Sequence, residues 1–600
     1  MMLTTLDWGI IAIFFMLSLG MGIWASKRAG EDTKSFFLAG KDMPWWLLGV
    51  SMVATTFSTD TPNLVTDLVR QNGVSGNWGW WAFLLTGMLT VFIYSKLWHR
   101  SNVLTDIEFY ELRYSGKAAA FLRGFRALYL GLVFNVLVMG AVSLAAVKFG
   151  EIVLGIPGWL TLIIACSITL IYSVLGGLKA VIVTDFIQFI FAMTGSIWAT
   201  IYILSLPEID GLANLISHEN VVSQLSLLPD FSNPDSWIPI LLVPLAVQWW
   251  ASYYPGSEPG GGGYIAQRMF SAKSELDAVG ATFFFNIAHY AIRPWPWILI
   301  ALSSLIIFPD LSDLQSTFPD LSKDKLGHDI AYPAMLTLLP SGLLGLVSAS
   351  LIAAFMSTMS TQLNLGASYI VNDFYHRFLR PGASNKELVA VARISTVFTI
   401  ILGSGLGLLL TSAGQAFNLL LMIGAGTGLI YILRWFWWRI NAYTEIVAMI
   451  SSLLIAFYLN FGELQVADWS KIIIGAVLTT SIWLVATFLT PPDDQETLQN
   501  FVDKVNPGGP GWKRYPSKMN TEPWIVPKGM FSMFLGCTAV YGFLLSTGQF
   551  IYGNIEIGFF LFSISAIITG PLLSINFTVQ FPEVVWPTSS VISAANQYST

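Results

Sequence analysis

Apolar positions in this chain fall into long, nearly unbroken blocks, not the short periodic stripes that a water-facing domain shows. A helix needs about 20 mostly apolar residues to cross a bilayer. Fifteen segments meet that need: 6–26, 44–69, 76–98, 124–150, 156–176, 180–205, 237–256, 277–308, 333–372, 391–411, 414–434, 441–461, 470–490, 529–547 and 554–577. The first opens on Asp7 without a preceding basic stretch, so it reads as a retained helix and not as a signal peptide. The connections are short. The longest, 491–528, has no room for a soluble catalytic or nucleotide-binding domain.

Composition supports the same reading. Hydrophobic residues make up 54% of the 600 and charged residues 11%, whereas a soluble domain carries roughly 25% charge. The pattern predicts an all-α polytopic membrane protein. A net charge of −6 on so apolar a chain excludes disorder, and the scattered Lys and Arg exclude a nucleic-acid partner. The two cysteines, Cys166 and Cys537, sit in apolar runs and read as small core residues. Basic residues gather in alternate connections: Lys27 and Arg28, Lys96 through Arg126, Arg268 and Lys273, Arg377 through Arg393, Arg434 and Arg439, and Lys504 through Lys528. Loops 206–236 and 309–332 are acidic instead. The positive-inside rule then places the N-terminus outside and, with fifteen spans, the C-terminus in the cytoplasm. The run from Arg434 to Arg439 reads as an aromatic and basic anchor at the inner face.

Polar residues inside a span mark function, because lipid cannot solvate them. The second span carries Ala54-Thr55-Thr56-Phe57-Ser58-Thr59-Asp60-Thr61-Pro62, where a proline and a charge preclude a regular lipid-facing helix. The seventh breaks at Trp249-Trp250-Ala251-Ser252-Tyr253-Tyr254-Pro255-Gly256. The seventh span comes five after the second, and an odd offset reverses helix direction. Broken helices at matching positions of two inverted halves point to the binding site of a secondary transporter. In the ninth span Ser357, Ser360, Thr361 and Asn364 share one face at helical spacing. Such a stripe serves either as glue between helices or as an oxygen cage for a hard cation such as sodium.

Four motifs recur in order: FFLAGKDMPWWLLGVSMVATTFSTD (36–60), LGGLKAVIVTDFIQ (175–188), YIAQRMFSAKS (264–274) and AAFMSTMSTQLN with VNDFY (353–375). Over roughly residues 6–440 the chain resembles the sodium:solute symporter family. That resemblance implies a leucine-transporter-like fold of inverted five-helix repeats with extra flanking helices. The expected units are 1–43 (extra helix and inner loop), 44–236 and 237–440 (the two repeats), and 441–600 (accessory helices with the cytoplasmic loop 491–528). It also implies a main sodium site from the carbonyls of Ala54, Phe57 and Ala354 and the hydroxyls of Ser357 and Thr358. A second sodium site would use Asp185, Ser360 and Thr361.

The expected activity is sodium-coupled import of a small organic solute across the plasma (inner) membrane by alternating access. The coupling ion is Na+, one or two per cycle, with no organic cofactor, no obligate protein partner and no enzymatic chemistry. A transporter-like sensor without net transport is the alternative. Thr56 stands where sugar carriers of the family place an asparagine and proline carriers an aspartate, so the solute stays open. Candidate solute contacts are Ser58, Thr59, Asp60 and Thr61, Trp80 and Trp81, Trp249, Trp250, Ser252 and Tyr253, with Gln415 and Asn418. The tryptophans serve equally as packing, and Arg293 with His289 either binds a solute carboxylate or holds structure.

Overall fold

In a computed structural model of the chain, residues 3–25, 33–56, 58–251, 262–319, 321, 325–410, 413–462, 466–518 and 523–576 are described. The architecture is helical. Among the described residues the only β-type pairing is an isolated bridge between Met43 and Ala272. Among the described residues the helices that organise the molecule are α1 (Thr5–Ala25), α2 (Trp45–Thr55), α3 (Asp60–Asn72), α4 (Val74–Ser101), α5 (Gly116–Leu154), α6 (Gly158–Leu204), α7 (Pro234–Ala246), α8 (Gly263–Phe270), α9 (Glu275–Ile307), α10 (Leu343–Leu379), α11 (Asn385–Leu409), α12 (Ala413–Phe436), α13 (Ala442–Phe461), α14 (Asp468–Leu489), α15 (Ile525–Ile551) and α16 (Ile555–Asn576). Among the described residues ten helices are long and apolar enough to cross a membrane, fewer than the fifteen segments counted from hydropathy. Part of the difference is physical. The second span is divided into α2 and α3, and its halves are each too short to qualify alone.

α6 joins two of the expected spans, 156–176 and 180–205, at Gly177. That residue has φ +55° and ψ −163°, so the two arms diverge there. A Cβ at Gly177 would come within 2.6 Å of the Phe36 carbonyl, so glycine is needed both for the conformation and for the approach of residues 33–38. The ninth span begins later than hydropathy suggests. Residues 331–336 form a separate short helix, and α10 starts at Leu343 after Pro340 and Gly342. There the Asp7 carboxylate of α1 accepts the backbone N–H groups of Gly342 (2.6 Å) and Gly345 (2.8 Å), capping donors that the helix start leaves orphaned.

α10 is the buried axis of the protein, with every residue from Val347 to Tyr369 enclosed, and α6 packs along it. The helix pair α15 and α16 packs mainly on itself, and α13 and α14 likewise pair. Their outward faces carry exposed Phe531, Phe534, Leu454 and Phe488, the surface expected against lipid.

Polar latches close both ends. At the end where α3 and α5 finish, Lys148 pairs with Asp329 (2.8 Å), Lys325 pairs with Glu151 (2.8 Å), and Arg70 Nε donates to His328 Nδ1 (3.2 Å). Burial and the Arg70 guanidinium hold His328 below the usual histidine range. At the opposite end, Arg434 and Trp435 are buried, so this part of the aromatic-basic run does not form the expected surface anchor. Trp435 packs against Trp98, Phe109 and Phe501, and Arg434 lies 3.6 Å from Glu445. The physical reason is the long loop 491–528. It folds a helix, Gln495–Val505, whose Leu498, Phe501, Val502 and Val505 cover the aromatic cluster.

Candidate functional site

The polar centre lies where four helices meet. α2 ends at Thr55, α3 begins at Asp60, and the hydroxyl face of α10 runs past the gap. A helix end leaves carbonyls without intrahelical partners, and here other helices supply donors. Thr358 Oγ1 on α10 donates to the Thr55 carbonyl at 2.8 Å. Thr56 Oγ1 turns back to the Val53 carbonyl at 2.8 Å, and Arg293 Nη1 on α9 reaches the same carbonyl at 3.3 Å. Thr61 Oγ1 spans the gap to the Thr56 carbonyl at 3.4 Å. A hydroxyl that spends its proton on a carbonyl keeps its lone pairs outward, which is the donor set a hard cation takes.

Beside the break lies a fully buried ion pair. Asp185 on α6 and Arg268 on α8 are both 0% exposed, with Arg268 Nη2 3.5 Å from Asp185 Oδ2. Ser357 Oγ donates to Asp185 Oδ1 (2.7 Å) and Ser51 Oγ to Asp185 Oδ2 (2.5 Å). Arg268 extends the network to Ser51 (3.2 Å), Thr55 (3.3 Å), Thr361 (2.7 Å) and Gln267 Oε1 (3.2 Å). Gln267 Nε2 in turn donates to Asn364 Oδ1 at 2.8 Å. The stripe Ser357, Thr361 and Asn364 therefore faces one network, while Ser360 Oγ bonds the Ser357 carbonyl at 3.0 Å within its own helix.

A third group surrounds the opposite side of the gap. His289 Nδ1 and Arg293 Nη1 each lie 3.1 Å from Thr56 Oγ1. They come from a stretch of α9 whose turn widens to a π-helix over Ala288–Ile292, a distortion common at functional sites. Trp80 stacks on Tyr290 (5.8 Å, 23°) and meets His289 edge-on at 5.5 Å. Gln248 Nε2 donates to the Gly79 carbonyl at 2.8 Å and Thr86 Oγ1 to the Trp249 carbonyl, tying the end of α7 to α4.

The candidates named from sequence are thus brought together unevenly. Ala54, Ala354, Ser357, Thr358, Asp185, Ser360 and Thr361 line the α2–α10 junction or the ion pair beside it. Ser58, Thr59, Asp60 and Thr61 occupy the gap and the first turn of α3. Trp80 faces α9, whereas Trp81 is buried against Trp78 and Trp80 with its carbonyl accepting from Tyr541. Trp249 and Trp250 pack on each other at 5.4 Å, close to α12 at Gly428. Phe57, Ser252 and Tyr253 lie outside the described residues, as do the side chains of Gln415 and Asn418 on α12. Sequence reasoning overlooked Ser51, Thr55 and Arg268 as partners of the site. Ser51 and Thr55 stand four apart on α2, so they share a face, and this spacing was the available signal. Arg268 instead read as a basic residue of the inner loops.

The chain is 26% identical to the sodium/glucose cotransporter of Vibrio parahaemolyticus, over 82% of this chain and 92% of the relative. It is 27% identical to the sodium/mannose cotransporter SLC5A10 of Bos taurus, over 73% and 76%. It is 26% identical to sodium/myo-inositol cotransporter 2 of Mus musculus, over 75% and 69%. Among solved structures, a Na+-coupled sialic acid symporter in a substrate-bound outward-open state superposes with a TM-score of 0.63 at 18% identity, over 82% of this chain and 99% of that one. That likeness extends to the fold, and these relatives are transporters. The family model for the sodium:solute symporters matches residues 36–452, well over half of the sequence, and this multi-pass membrane protein belongs to the sodium:solute symporter family.

Proposed function

We propose that the chain couples entry of sodium to entry of a small organic solute across the plasma (inner) membrane, by alternating access. The observation that carries this reading is the junction of α2 with α10, where Thr358 Oγ1 meets the orphaned Thr55 carbonyl at 2.8 Å. Sodium at this junction takes the carbonyls of Ala54, Phe57 and Ala354 with the hydroxyls of Ser357 and Thr358. It fixes the end of α2 to α10 and so shapes the adjoining gap, in which Ser58, Thr59, Asp60 and Thr61 meet the solute. Trp80, Trp249 and Trp250 wall that pocket, with Trp81 behind them, and Ser252, Tyr253, Gln415 and Asn418 complete it. The sodium-coupled sugar and inositol carriers among its relatives support this coupling.

Asp185, Ser360 and Thr361 form the proposed second sodium site. A sodium ion there competes with the Arg268 guanidinium, which bridges Asp185 and Thr361. The two inverted repeats are 44–236 and 237–440, the N-terminus lies outside and the C-terminus in the cytoplasm. One sodium ion crossing 100 mV supplies about 2.3 kcal/mol before any concentration gradient, and a second ion doubles it. Uptake into proteoliposomes under an imposed sodium gradient tests the reading. Solute accumulation that collapses when sodium is replaced by choline on both sides is expected, and sodium-independent accumulation contradicts it.

A further inference from the structure

Among the described residues two carboxamide side chains have both polar atoms buried without a hydrogen-bond partner, Gln188 on α6 and Gln362 on α10. They are 1% and 0% exposed. Buried polar groups are almost always paired, and an unpaired one inside a membrane is costly. The neighbouring hydroxyls obey that rule. Thr184 bonds back to the Ala180 carbonyl, and Ser357 and Thr358 are engaged by Asp185 and the Thr55 carbonyl. Apolar side chains of the same length would cost less at both positions, so the two amides serve something other than the fold.

Their positions converge on the sodium junction. α6 and α10 run antiparallel along their seam: Asp185 meets Ser357, while a Cβ at Gly195 would come within 2.9 Å of Ser350 Oγ and 3.5 Å of the Val347 Cα. Gln188 precedes Gly195 by close to two full turns and shares its face. The same distance along α10 leads from Val347 and Ser350 to Ala354 and Ser357. Gln188 therefore stands opposite the residues that offer sodium a carbonyl and a hydroxyl. Gln362 follows Thr358 by one turn on the same face of α10. Side chains on a helix lean toward its N-terminus, which carries the Gln362 amide back toward Thr358 and the Gln188 amide toward Asp185. Beside Gln362, Asn135 Nδ2 of α5 donates to its backbone carbonyl at 2.8 Å, and Asn135 Oδ1 is also buried without a partner.

Both seams are too narrow for an organic solute. Gly195 lets α6 close on Ser350, and a Cβ at Gly366 would collide with Asn135 Nδ2 and lie 2.7 Å from the Gly131 carbonyl. An ion and water fit. An amide oxygen is a ligand for a hard cation, whereas the amide nitrogen only donates. An amide open at both ends thus matches a sodium ion that still carries a water: Oε1 meets the ion and Nε2 donates to the water oxygen.

Resting on the reading that sodium occupies the α2–α10 junction, we propose that Gln188 and Gln362 bind this ion in a partly hydrated form as it enters and leaves. Both are neutral, which suits a site that must hold an ion and also release it.

The test is sodium-dependent thermal stabilisation of the full chain in detergent, with choline chloride as the reference salt. The forms compared are the parent, Gln188→Met, Gln362→Met, Gln188→Glu and Ser357→Ala. Methionine keeps the length of the side chain and removes both polar atoms. Without sodium the two methionine variants should unfold at or above the parent temperature, because an unpaired buried amide is gone. Each should nevertheless need about three- to tenfold more sodium for half-maximal stabilisation. Gln188→Glu keeps an oxygen in place and should need no more sodium than the parent, a rescue that a packing role does not predict. Gln362→Met decides alone if Gln188→Met does not fold. Unchanged sodium half-saturation in the methionine variants overturns the proposal, and so does an equal rise in Gln188→Glu and Gln188→Met. If Ser357→Ala raises the sodium requirement and the methionine variants do not, this proposal alone falls. If sodium stabilises neither the parent nor any variant, the reading of the junction falls and the proposal with it.

Discussion

Removing both members of the Asp185–Arg268 pair should destabilise the protein by less than the two single removals added together. Asp185 and Arg268 are both 0% exposed and lie on different helices, α6 and α8, with Ser51 of α2 and Ser357 and Thr361 of α10 completing the network. Arg268→Met leaves Asp185 with two hydroxyl donors and no counter-charge. Asp185→Asn leaves a guanidinium whose remaining partners are the neutral Ser51, Thr55, Thr361 and Gln267. Breaking a buried pair from one side costs about 3–5 kcal/mol. In the double variant neither charge is stranded, so its loss should fall short of the sum of the two singles by about 1–3 kcal/mol. Thermal unfolding of the purified protein in detergent, with and without sodium, measures all four forms. The same series tests the competition between guanidinium and ion: without Arg268, sodium should stabilise the chain more than it stabilises the parent. Single variants within about 1 kcal/mol of the parent, or losses that simply add, would refute the coupling.

Two further expectations rest on other contacts. Arg293→Gln removes the charge that braces the Val53 carbonyl and Thr56, so the solute half-saturation should rise several-fold, with Arg293→Lys intermediate. Equal solute affinity in Arg293→Gln and the parent would show that the brace is not needed. His328 accepts the Arg70 Nε–H at Nδ1, so it must be neutral there, and burial beside Arg70 favours that form. Its proton affinity is depressed in the fold, so the unfolded chain binds the proton first. The latch therefore contributes fully above the ordinary histidine value of about 6.5 and weakens as pH falls below it. Thermal stability should decline more steeply between about pH 6.5 and 5 in the parent than in His328→Gln, and parallel profiles would remove His328 from the account.

The membrane class and the broken second span were legible because both rest on local chemistry. A proline and a charge within an apolar run disfavour a continuous helix, and α2 does end at Thr55 with α3 beginning at Asp60. The hydroxyl stripe on α10 was legible from spacing alone. What it faces was not. Arg268 reads in sequence as one more basic residue at an inner loop, yet the fold turns α8 inward and buries it on Asp185, a pairing set by residues 83 positions apart. The same limit applies to the Arg434–Arg439 run. Its surface reading fails at Arg434 and Trp435 because the distant helix Gln495–Val505 covers them, and nothing local records that cover. Hydropathy also misplaced the start of α10, because Pro340 and Gly342 lie within a continuously apolar stretch that composition cannot divide.

The central claim is that sodium binds where α10 crosses the end of α2. The most direct measurement is the sodium dependence of thermal stability and of solute uptake in the parent, Ser357→Ala and Thr358→Ala. Each substitution deletes one hydroxyl oxygen at the junction and leaves every charge in place. Both variants should fold and reach the membrane, yet need about tenfold more sodium for half-maximal effect, as expected for a lost hydrogen-bond-strength contact to a charge. Unchanged sodium half-saturation in both variants would contradict the account.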